Sequence, residues 1–437
     1  MTSNEASSRG ATGVRAWQVL RNPKVWAVPT VIVGLLALLL SLLYLGGILN
    51  PRTDLHRLPI GLVNSDEGAQ LGGRTANLGA QITAGIAAAP DPQGQISWRV
   101  LDRAGAADQL ASGKLTGALE VPAGFTAAVA ELGASAQQAP ARPTITVLTN
   151  PGVGSLASSL ASSISQQAAH QASLKLGETL TAQARAQGQL QAGGASNAAQ
   201  LLLADPVTVD VQVGHPIGPH SGLGLTAFYY TLLLVLCGFL GANIISNGVD
   251  VALGYAASEL GPLRTQRPLV RISRTQTLAV TSVMSVVLAF LTSSLVMLAT
   301  VVILGMDASH LPLLWVFSVC ASAAVGLGVQ ALVAAFGGIG QLISMFIFIA
   351  LALPSSGATI PLQALPPFYR VLAVFEPMRQ LSDGVRSILY FGAQADAGLT
   401  RAWIMIAIGV AAALLFGFGM TTYYDRRGLH RFHPEVS

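Results

Sequence analysis

The chain has 437 residues, of which 52% are hydrophobic and only 10% are charged, and its mean hydropathy is +0.57. Soluble domains carry about 25% charged residues, so this composition predicts an integral membrane protein. The net charge of +4 is small, and the basic residues lie beside apolar runs rather than in one patch, which argues against nucleic-acid binding. Both cysteines, Cys237 and Cys320, fall within apolar runs, so neither a disulfide framework nor cysteine-ligated zinc is expected.

An apolar run near the N-terminus predicts the first membrane-spanning helix, at 25–49. Its middle, 31–43, contains nothing more polar than Gly34 and Ser41. Backbone groups cannot hydrogen-bond to lipid, so a run of this length is stable in a membrane as a helix. It is longer than the core of a signal peptide and no small-residue cleavage site follows it, so we interpret it as an uncleaved anchor.

Five more apolar runs follow a polar insert; they lie at 225–245, 278–304, 311–336, 339–355 and 403–423. The sequence therefore predicts an α-helical integral membrane protein with six transmembrane helices in a 1 + 5 layout. An α+β extracytoplasmic domain is inserted between helices 1 and 2. Only Gly337 and Gly338 separate the fourth run from the fifth, which predicts a tight hairpin.

The basic residues predict the orientation. Three clusters flank the runs: Arg9, Arg15, Arg21 and Lys24; Arg264, Arg267, Arg271 and Arg274; Arg426, Arg427 and Arg431. With six spans all three fall on one side, which the positive-inside rule makes cytoplasmic. Four arginines of the outer segment oppose the rule, and acidic neighbours partly offset them: Arg370, Arg379, Arg386 and Arg401, with Glu376, Asp383 and Asp396.

We thus expect a multi-pass plasma-membrane protein with both termini cytoplasmic. Its predicted parts are a cytoplasmic N-terminal segment 1–24, helix 1 at 25–49, the extracytoplasmic domain 50–222, a five-helix membrane domain 223–424 and a cytoplasmic tail 425–437. The membrane domain includes a cytoplasmic loop, 246–276, and an outer re-entrant segment, 357–401.

The insert alternates between strand and helix patterns. Strands are predicted at 58–63, 96–101, 115–121, 144–148 and 207–213, and helices at 68–88, 104–112, 124–132 and 155–187. The alternating valines of the last strand predict one buried face. The long helix has a weak apolar stripe that suits packing on a sheet or a neighbouring subunit, and 188–199 has the composition of a flexible linker. We expect a small mixed sheet backed by helices.

Three segments resemble the YhgE/Pip (phage-infection protein) group of ABC-2-type membrane proteins. Residues 58–69, LPIGLVNSDEGA, are similar to that family's strand and VNxDxGA turn; residues 110–125, LASGKLTGALEVPAGF, are similar to its L..GK..G.l.iP..F element. The stretch from Ser356 to Arg386 resembles the outer re-entrant region of ABC-2 permeases. The resemblance implies a six-span ABC-2-type fold, a homodimer and export of hydrophobic or amphipathic molecules. The insert departs from larger members in lacking their very long helical arms.

Motifs for chemistry are sparse. The only Gly-Lys pair, Gly113-Lys114, is followed by Leu115 and lacks the upstream glycine of a phosphate-binding loop, so this chain is not expected to hydrolyse ATP. Asp66 and Glu67 could bind a cation, although a solvated turn is favoured. His215 and His220 could ligate a metal, although a structural role is favoured. We expect no enzyme activity and no catalytic, cofactor or metal site.

Two segments carry the candidate functional residues. The candidate coupling loop contains Asp250, Glu259, Arg264, Arg267, Arg271 and Arg274. Its pattern predicts a short amphipathic helix on the cytoplasmic face. The resemblance implies that an ATPase subunit docks there, and an equally weighted alternative is a lipid-headgroup anchor.

The candidate outer gate contains Glu376, Arg379, Asp383 and Arg386, whose spacing places them on one helix face. Prolines and aromatic residues around them predict two short helices that dip into the outer leaflet. The functional reading is a polar gate at the exit of a lateral pathway. The favoured alternative is salt bridging that makes a shallow helix tolerable.

The leading functional hypothesis is an ABC-2-type permease or exporter subunit that moves a hydrophobic or lipid-like compound out of the cell. It would act as a homodimer among membrane lipids and draw energy from a separate ATPase subunit, if from any. The alternative is a non-transporting, membrane-anchored receptor or assembly scaffold. A proton-coupled exporter is a third hypothesis, disfavoured because the centres of the spans contain no Asp, Glu, Lys, Arg or His.

Overall fold

The computed structural model describes residues 23–46, 51–71, 74–134, 142–186, 202–357, 359–429 and 431. The chain forms two compact units, Met1–Leu49 and Asn50–Ser437. The first unit contains helix α1 (Pro23–Gly46), which has 24 residues and ends near the predicted end of the first apolar run. Within it Ser41 donates a hydrogen bond to the carbonyl oxygen of Ala37 (2.7 Å), so its hydroxyl is satisfied inside the helix.

The second unit begins with a domain built on a five-stranded sheet, which we call the sheet domain (residues 51–221). Its strands are β1 (Leu58–Asn64), β2 (Ala69–Leu71), β3 (Arg74–Ala76), β4 (Ile96–Leu101), β5 (Gly117–Val121), β6 (Thr144–Thr149) and β7 (Thr208–Val213). The sheet order is β4-β1-β5-β6-β7, and β2 pairs with β3 in a separate hairpin. Strand β1 runs parallel to β4 and β5, whereas β6 is antiparallel to β5 and parallel to β7. The predicted mixed sheet is therefore confirmed.

Four helices pack on this sheet: α2 (Leu78–Ala87), α3 (Arg103–Ala111), α4 (Phe125–Ala134) and α5 (Ser155–Ala186). The core between sheet and helices includes Leu62, Leu119, Phe125, Ile145 and Leu176. The long helix α5 contributes mainly small buried residues, such as Ala161 and Ala169. Because small side chains let a helix approach a sheet closely, the weak apolar stripe of α5 suffices to hold it there.

Two details of the sheet domain differ from the sequence-based expectations. The predicted helix at 68–88 begins only at Leu78, where the Asn77 side chain accepts a hydrogen bond from the Ala80 amide (2.6 Å) and caps α2. The hairpin β2–β3 precedes it. In strand β7, at a sheet edge, only the first part of the valine face is covered: Val209 contacts the core, whereas Val211 and Val213 are exposed. The predicted linker at 188–199 lies outside the described residues.

The rest of the second unit is largely helical. Its helices are α6 (Thr226–Ala252), α7 (Arg274–Ile303), α8 (Leu311–Phe336), α9 (Gly338–Ala350), α10 (Ala352–Ser355), α11 (Pro367–Phe375), α12 (Pro377–Tyr390) and α13 (Leu399–Arg426). Among the described residues, four helices are long and apolar enough to cross a membrane: α6, α7, α8 and α13. We call α6–α10 and α13 the bundle, and residues 357–401 the outer segment.

Helix α8 is the most deeply buried of these four and lies at the centre of the bundle. Glycines allow its neighbours to approach: a Cβ atom at Gly238 of α6 would lie 2.7 Å from the Ser322 carbonyl oxygen, and one at Gly417 of α13 would lie 2.9 Å from the Ala331 side chain. The buried Gln330 donates to the Ala242 carbonyl oxygen (2.9 Å), so its side chain joins α8 to α6.

The predicted fifth span, 339–355, is a broken helix. Gly337 adopts a positive φ of 61° directly after α8, and the last residues of α9, Phe346–Ala350, are π-helical. The segment nevertheless connects the two ends of the bundle. Gly338 lines one cavity with Asp250 and Arg431, whereas Gly357 lies beside Arg379 of the outer segment.

Candidate functional site

Glu376, the first predicted gate residue, caps helix α12. Its carboxylate accepts hydrogen bonds from the backbone amides of Met378 and Arg379, both at 2.8 Å. The first amides of a helix have no partner within the helix, and the side-chain oxygens of Glu376 satisfy two of them. The structure therefore gives Glu376 a structural role in starting the helix.

The other three predicted gate residues form one cluster on α12. Asp383 lies between two guanidinium groups, 3.4 Å from Nη2 of Arg379 and 4.0 Å from Nη1 of Arg386. Arg386 also donates to the carbonyl oxygen of Gly357 (3.5 Å). The i,i+4 and i,i+3 spacing predicted these contacts correctly. The cluster thus combines two guanidinium groups with one carboxylate.

This cluster lines a cavity of about 700 Å³ between the sheet domain and the outer segment, which we call the outer cavity. The sheet domain contributes Arg99 and Lys114, and the outer segment and the start of α13 contribute Asp396, Arg401 and Ile404. Five basic and two acidic side chains line it in all; they are Arg99, Lys114, Arg379, Arg386 and Arg401, with Asp383 and Asp396. Arg99 and Lys114 were not predicted as part of this site, because no local sequence pattern shows that they face residues so distant in the chain.

The junction beside the cavity holds the sheet domain on the bundle. The buried ring of Phe391 lies against Gly113 and Gly152, where a Cβ atom would be 2.8 and 3.0 Å from ring carbons. His215 donates from Nε2 to the Tyr390 carbonyl oxygen (2.8 Å), which supports the structural role favoured for this histidine. Within the described residues, no group of three or more His, Cys, Asp or Glu could hold a metal ion.

Two further contacts join the sheet domain to the outer segment. Lys114 Nζ lies 2.5 Å from Asp396 Oδ2, so the Gly-Lys pair noted in the sequence serves in an ion pair. The His56 amide donates to the Gln363 carbonyl oxygen at 2.7 Å. The sheet domain is therefore attached to the outer segment through four separate parts of its own chain: the segment before β1, the loop after α3, the turn after β6 and the segment after β7.

Asp66 occupies neither a cation site nor a solvated turn. Its buried carboxylate accepts hydrogen bonds from the amides of Gly68 (3.3 Å), Gly79 (3.1 Å) and Thr126 (3.0 Å), and from the Thr126 hydroxyl. Burial by itself raises the pKa of the Asp66 carboxyl group. The hydrogen bonds to the carboxylate have the larger, opposite effect, so the pKa of Asp66 lies below its usual value. Asp66 thus holds the starts of α2 and α4 against the end of β1.

The prediction of an amphipathic helix in the candidate coupling loop is wrong. Helix α6 continues to Ala252, and a two-stranded hairpin follows, made of β8 (Ser258–Leu260) and β9 (Leu263–Thr265). A turn at 261–262, where Gly261 has a positive φ of 59°, joins the strands. Because the segment consists of two short strands, its charged residues do not share a helix face.

The six predicted coupling residues divide into two groups. Asp250 accepts hydrogen bonds from both terminal nitrogens of Arg431 (2.6 and 2.7 Å), and Arg274 donates from Nε to the Leu429 carbonyl oxygen (2.7 Å). These two residues hold Arg431 and Leu429 against the bundle. The other four are exposed; Glu259 pairs with Arg264 across the hairpin (3.5 Å), and Arg267 and Arg271 follow it.

The four apolar helices, joined to a sheet-containing domain with its own core, are those of a membrane protein. More specifically, the chain belongs to the family of proteins of unknown function DUF3533, whose sequence profile matches residues 29–409. That range includes the sheet domain, the outer segment and both sides of the outer cavity. No characterised protein and no solved structure matches the chain.

Proposed function

We propose that this chain is an ABC-2-type permease subunit that moves a hydrophobic or lipid-like compound out of the cell. The observation that carries the proposal is the outer cavity, in which Arg379, Asp383 and Arg386 meet the sheet domain. A polar cavity beside apolar helices gives an amphipathic molecule a place for each of its ends. The chain has no phosphate-binding loop of its own, so a separate ATPase subunit supplies the energy in this scheme.

The proposed topology has six crossings. Helix α1 is about 36 Å long at 1.5 Å per residue, enough to cross a hydrocarbon core of about 30 Å. The broken segment 338–355 adds a second crossing to the four long helices, because it connects the two ends of the bundle. The positive-inside rule then places the hairpin β8–β9 and both termini in the cytoplasm, and the sheet domain outside the plasma membrane.

The hairpin β8–β9 and the residues after it form the proposed docking surface for the ATPase subunit of a homodimeric transporter. Arg264, Arg267 and Arg271 are exposed there, and Leu263, which directly precedes Arg264, is exposed as well. The same residues suit anionic headgroups, so lipid anchoring remains the alternative. Co-purification distinguishes the two: replacing the three arginines by Glu releases a docked ATPase, whereas a lipid anchor leaves no ATPase to release.

A flux assay tests the transport proposal. Inverted membrane vesicles from expressing cells retain any ATPase partner, and a phosphatidylglycerol that carries a dithionite-quenchable fluorophore reports movement into the vesicle lumen. We expect ATP to increase the dithionite-protected fraction, and Asp383→Asn to slow this increase about tenfold. Arg185→Gln, at the far end of α5, is the matched control and should behave like the wild type. Equal protection in vesicles with and without the protein overturns the proposal.

A cleft in the sheet domain favours the receptor or scaffold as a second candidate. It has a volume of about 550 Å³ and lies between α2, β4 and α5, lined by Ile82, Ile86, Trp98 and Leu176. A receptor that binds an apolar ligand here predicts that Ala168→Trp, which fills the cleft, abolishes function. It also predicts that Asp383→Asn leaves function unchanged, whereas the transport proposal predicts that this variant slows the flux.

A further inference from the structure

We infer that the outer cavity binds the anionic headgroup of an amphiphile in the outer leaflet, while the hydrocarbon chain of that amphiphile lies along α13. This inference rests on the proposed function in that it names the class of compound moved. It concerns binding, however, and can be tested without transport.

The charges around the cavity favour an anion. Each of its two acidic residues already contacts basic partners: Asp396 pairs with Lys114, and Asp383 lies between Arg379 and Arg386. Arg99 and Arg401 are exposed at the edge of the cavity and add to the surplus of basic groups. An entering phosphate or carboxylate thus meets a positive field with no unpaired carboxylate to repel it.

Arg379 and Arg386, the most buried basic residues of the cavity, are suited to bind a headgroup that loses its hydration shell on entering. The side chains of Arg379 and Arg386 are only 18% and 8% exposed, so their charges interact more strongly than those of surface arginines. A guanidinium group presents a planar set of donors that matches two oxygens of a phosphate or carboxylate at once. The two arginines lie seven positions apart on α12 and therefore face the cavity from the same side.

The cavity also has an apolar side, which continues onto the surface of α13. Ile404 and Met405, in the first turns of α13, line it together with Leu362. Ile404, Ile408 and Leu415 have exposed fractions of 53%, 54% and 77%, and their spacing of four and seven residues places them on one side of the helix. A hydrocarbon chain on this side can reach the cavity without leaving an apolar surface.

The size of the cavity fits one headgroup with the start of its chain. Its volume of about 700 Å³ lies within the range of about 300–1,000 Å³ found for small-molecule sites. A choline headgroup carries a cation that the basic edge repels, so the charge surplus selects anionic over zwitterionic amphiphiles. The predicted ligand therefore combines one hydrocarbon part with one phosphate or carboxylate.

Native mass spectrometry of the full chain in a neutral detergent tests this binding directly. The protein is titrated with phosphatidylglycerol or with phosphatidylcholine of the same acyl chains, and separately with inorganic phosphate as a competitor. The variants are Arg99→Gln and Arg401→Gln, at exposed positions that leave the fold intact. Arg185→Gln is the control, because Arg185 is exposed at the opposite end of α5, about 40 Å along that helix from the cavity residue Ala157.

We expect phosphatidylglycerol to bind at least about tenfold more tightly than phosphatidylcholine, and each cavity variant to weaken it about fivefold. Arg185→Gln should leave the affinity unchanged. Equal binding of the two lipids, or equal weakening by all three variants, overturns the inference. Displacement of the lipid by millimolar inorganic phosphate also overturns it, because the site would then recognise a free anion without its chain.

The outcome separates this inference from the proposed function. Selective binding that depends on Arg99 and Arg401, combined with no ATP-dependent flux, supports the site and overturns the transport proposal. Flux that persists with no selective binding supports transport and overturns the site.

Discussion

The ring of Phe391 lies so close to Gly113 that a Cβ atom at position 113 would be 2.8 Å from two of its carbons. Phe391 follows α12 in the outer segment, whereas Gly113 follows α3 in the sheet domain. Gly113 also has a φ of +68°, a conformation that side chains other than glycine rarely adopt. A single small residue therefore permits both the turn in one domain and the contact with the other.

Gly113→Ala should destabilise the protein in two ways, through backbone strain and through the clash with Phe391. We expect a loss of about 2–4 kcal/mol in the free energy of unfolding, measured by chemical denaturation in detergent. Gly94→Ala is the matched control, because Gly94 has a similar φ of +61° but open space around its Cβ position. It should lose only about 1–2 kcal/mol. Equal losses in the two variants would show that Phe391 does not press on position 113.

Asp66→Asn should lower the free energy of unfolding by about 2–3 kcal/mol at pH 7, because an amide cannot accept all the hydrogen bonds that the carboxylate accepts. The folded-state pKa of Asp66 is depressed, so its contribution is present above the unfolded pKa of about 3.9 and is lost as the pH falls through the folded value. The difference in stability between the wild type and the variant should therefore begin to shrink as the pH falls below about 4.

Denaturation curves at pH 7 and pH 3 measure this change. The exposed neighbour Glu67 supplies the control, and Glu67→Gln should change stability by less than about 0.5 kcal/mol at either pH. If Asp66→Asn were as harmless as the control, Asp66 would be a solvated turn residue after all.

The pair formed by Asp250 and Arg431 should show measurable coupling in a double-mutant cycle. The side chains are 27% and 30% exposed and form two parallel hydrogen bonds, so we expect a coupling of about 0.5–1 kcal/mol between Asp250→Ala and Arg431→Ala. The Glu259–Arg264 pair, longer at 3.5 Å and far more exposed, should couple less. A coupling near zero for the first pair would mean that Arg431 and Asp250 do not form this pair in solution.

Cysteine labelling should place the two ends of the bundle on opposite sides of the membrane. In a background with Cys237→Ala and Cys320→Ala, Ala89→Cys lies on the exposed surface of the sheet domain and Thr265→Cys on the exposed hairpin. A membrane-impermeant maleimide should label position 89 in intact cells, and position 265 only after permeabilisation. The reverse pattern would place the sheet domain in the cytoplasm and exclude export by the proposed route.

Patterns within a few residues predicted much of the fold. The strands at 58–63 and 144–148 and the long helix at 155–187 appear within a residue or two, because their apolar periodicity reflects burial along a single element. The hairpins β2–β3 and β8–β9 escaped prediction. Each strand has only three residues, too few to show a period of two, so composition alone assigned them to helices.

The residues of the outer cavity were predictable only in part, because some of them meet within one helix and others only through contacts between distant segments. Asp383 and its two arginines share α12, and helix geometry brings them together wherever the helix lies. Arg99 and Lys114 reach the same cavity only through the packing of one domain on another, which no local pattern encodes. Glu376 differs, because an acidic residue directly before Pro377 is a signal for a helix start, and that signal could have identified the cap.

The attachment of the sheet domain at several places limits how it can move. His56, Lys114 and His215 each contact the outer segment, so the domain cannot rotate about a single flexible tether. A tilt of the sheet has to displace the outer segment or break these contacts. Mechanical force applied to the exposed face of the domain is therefore transmitted to α12, and a ligand in the cleft beside Trp98 could change the shape of the distant arginine cluster without touching it.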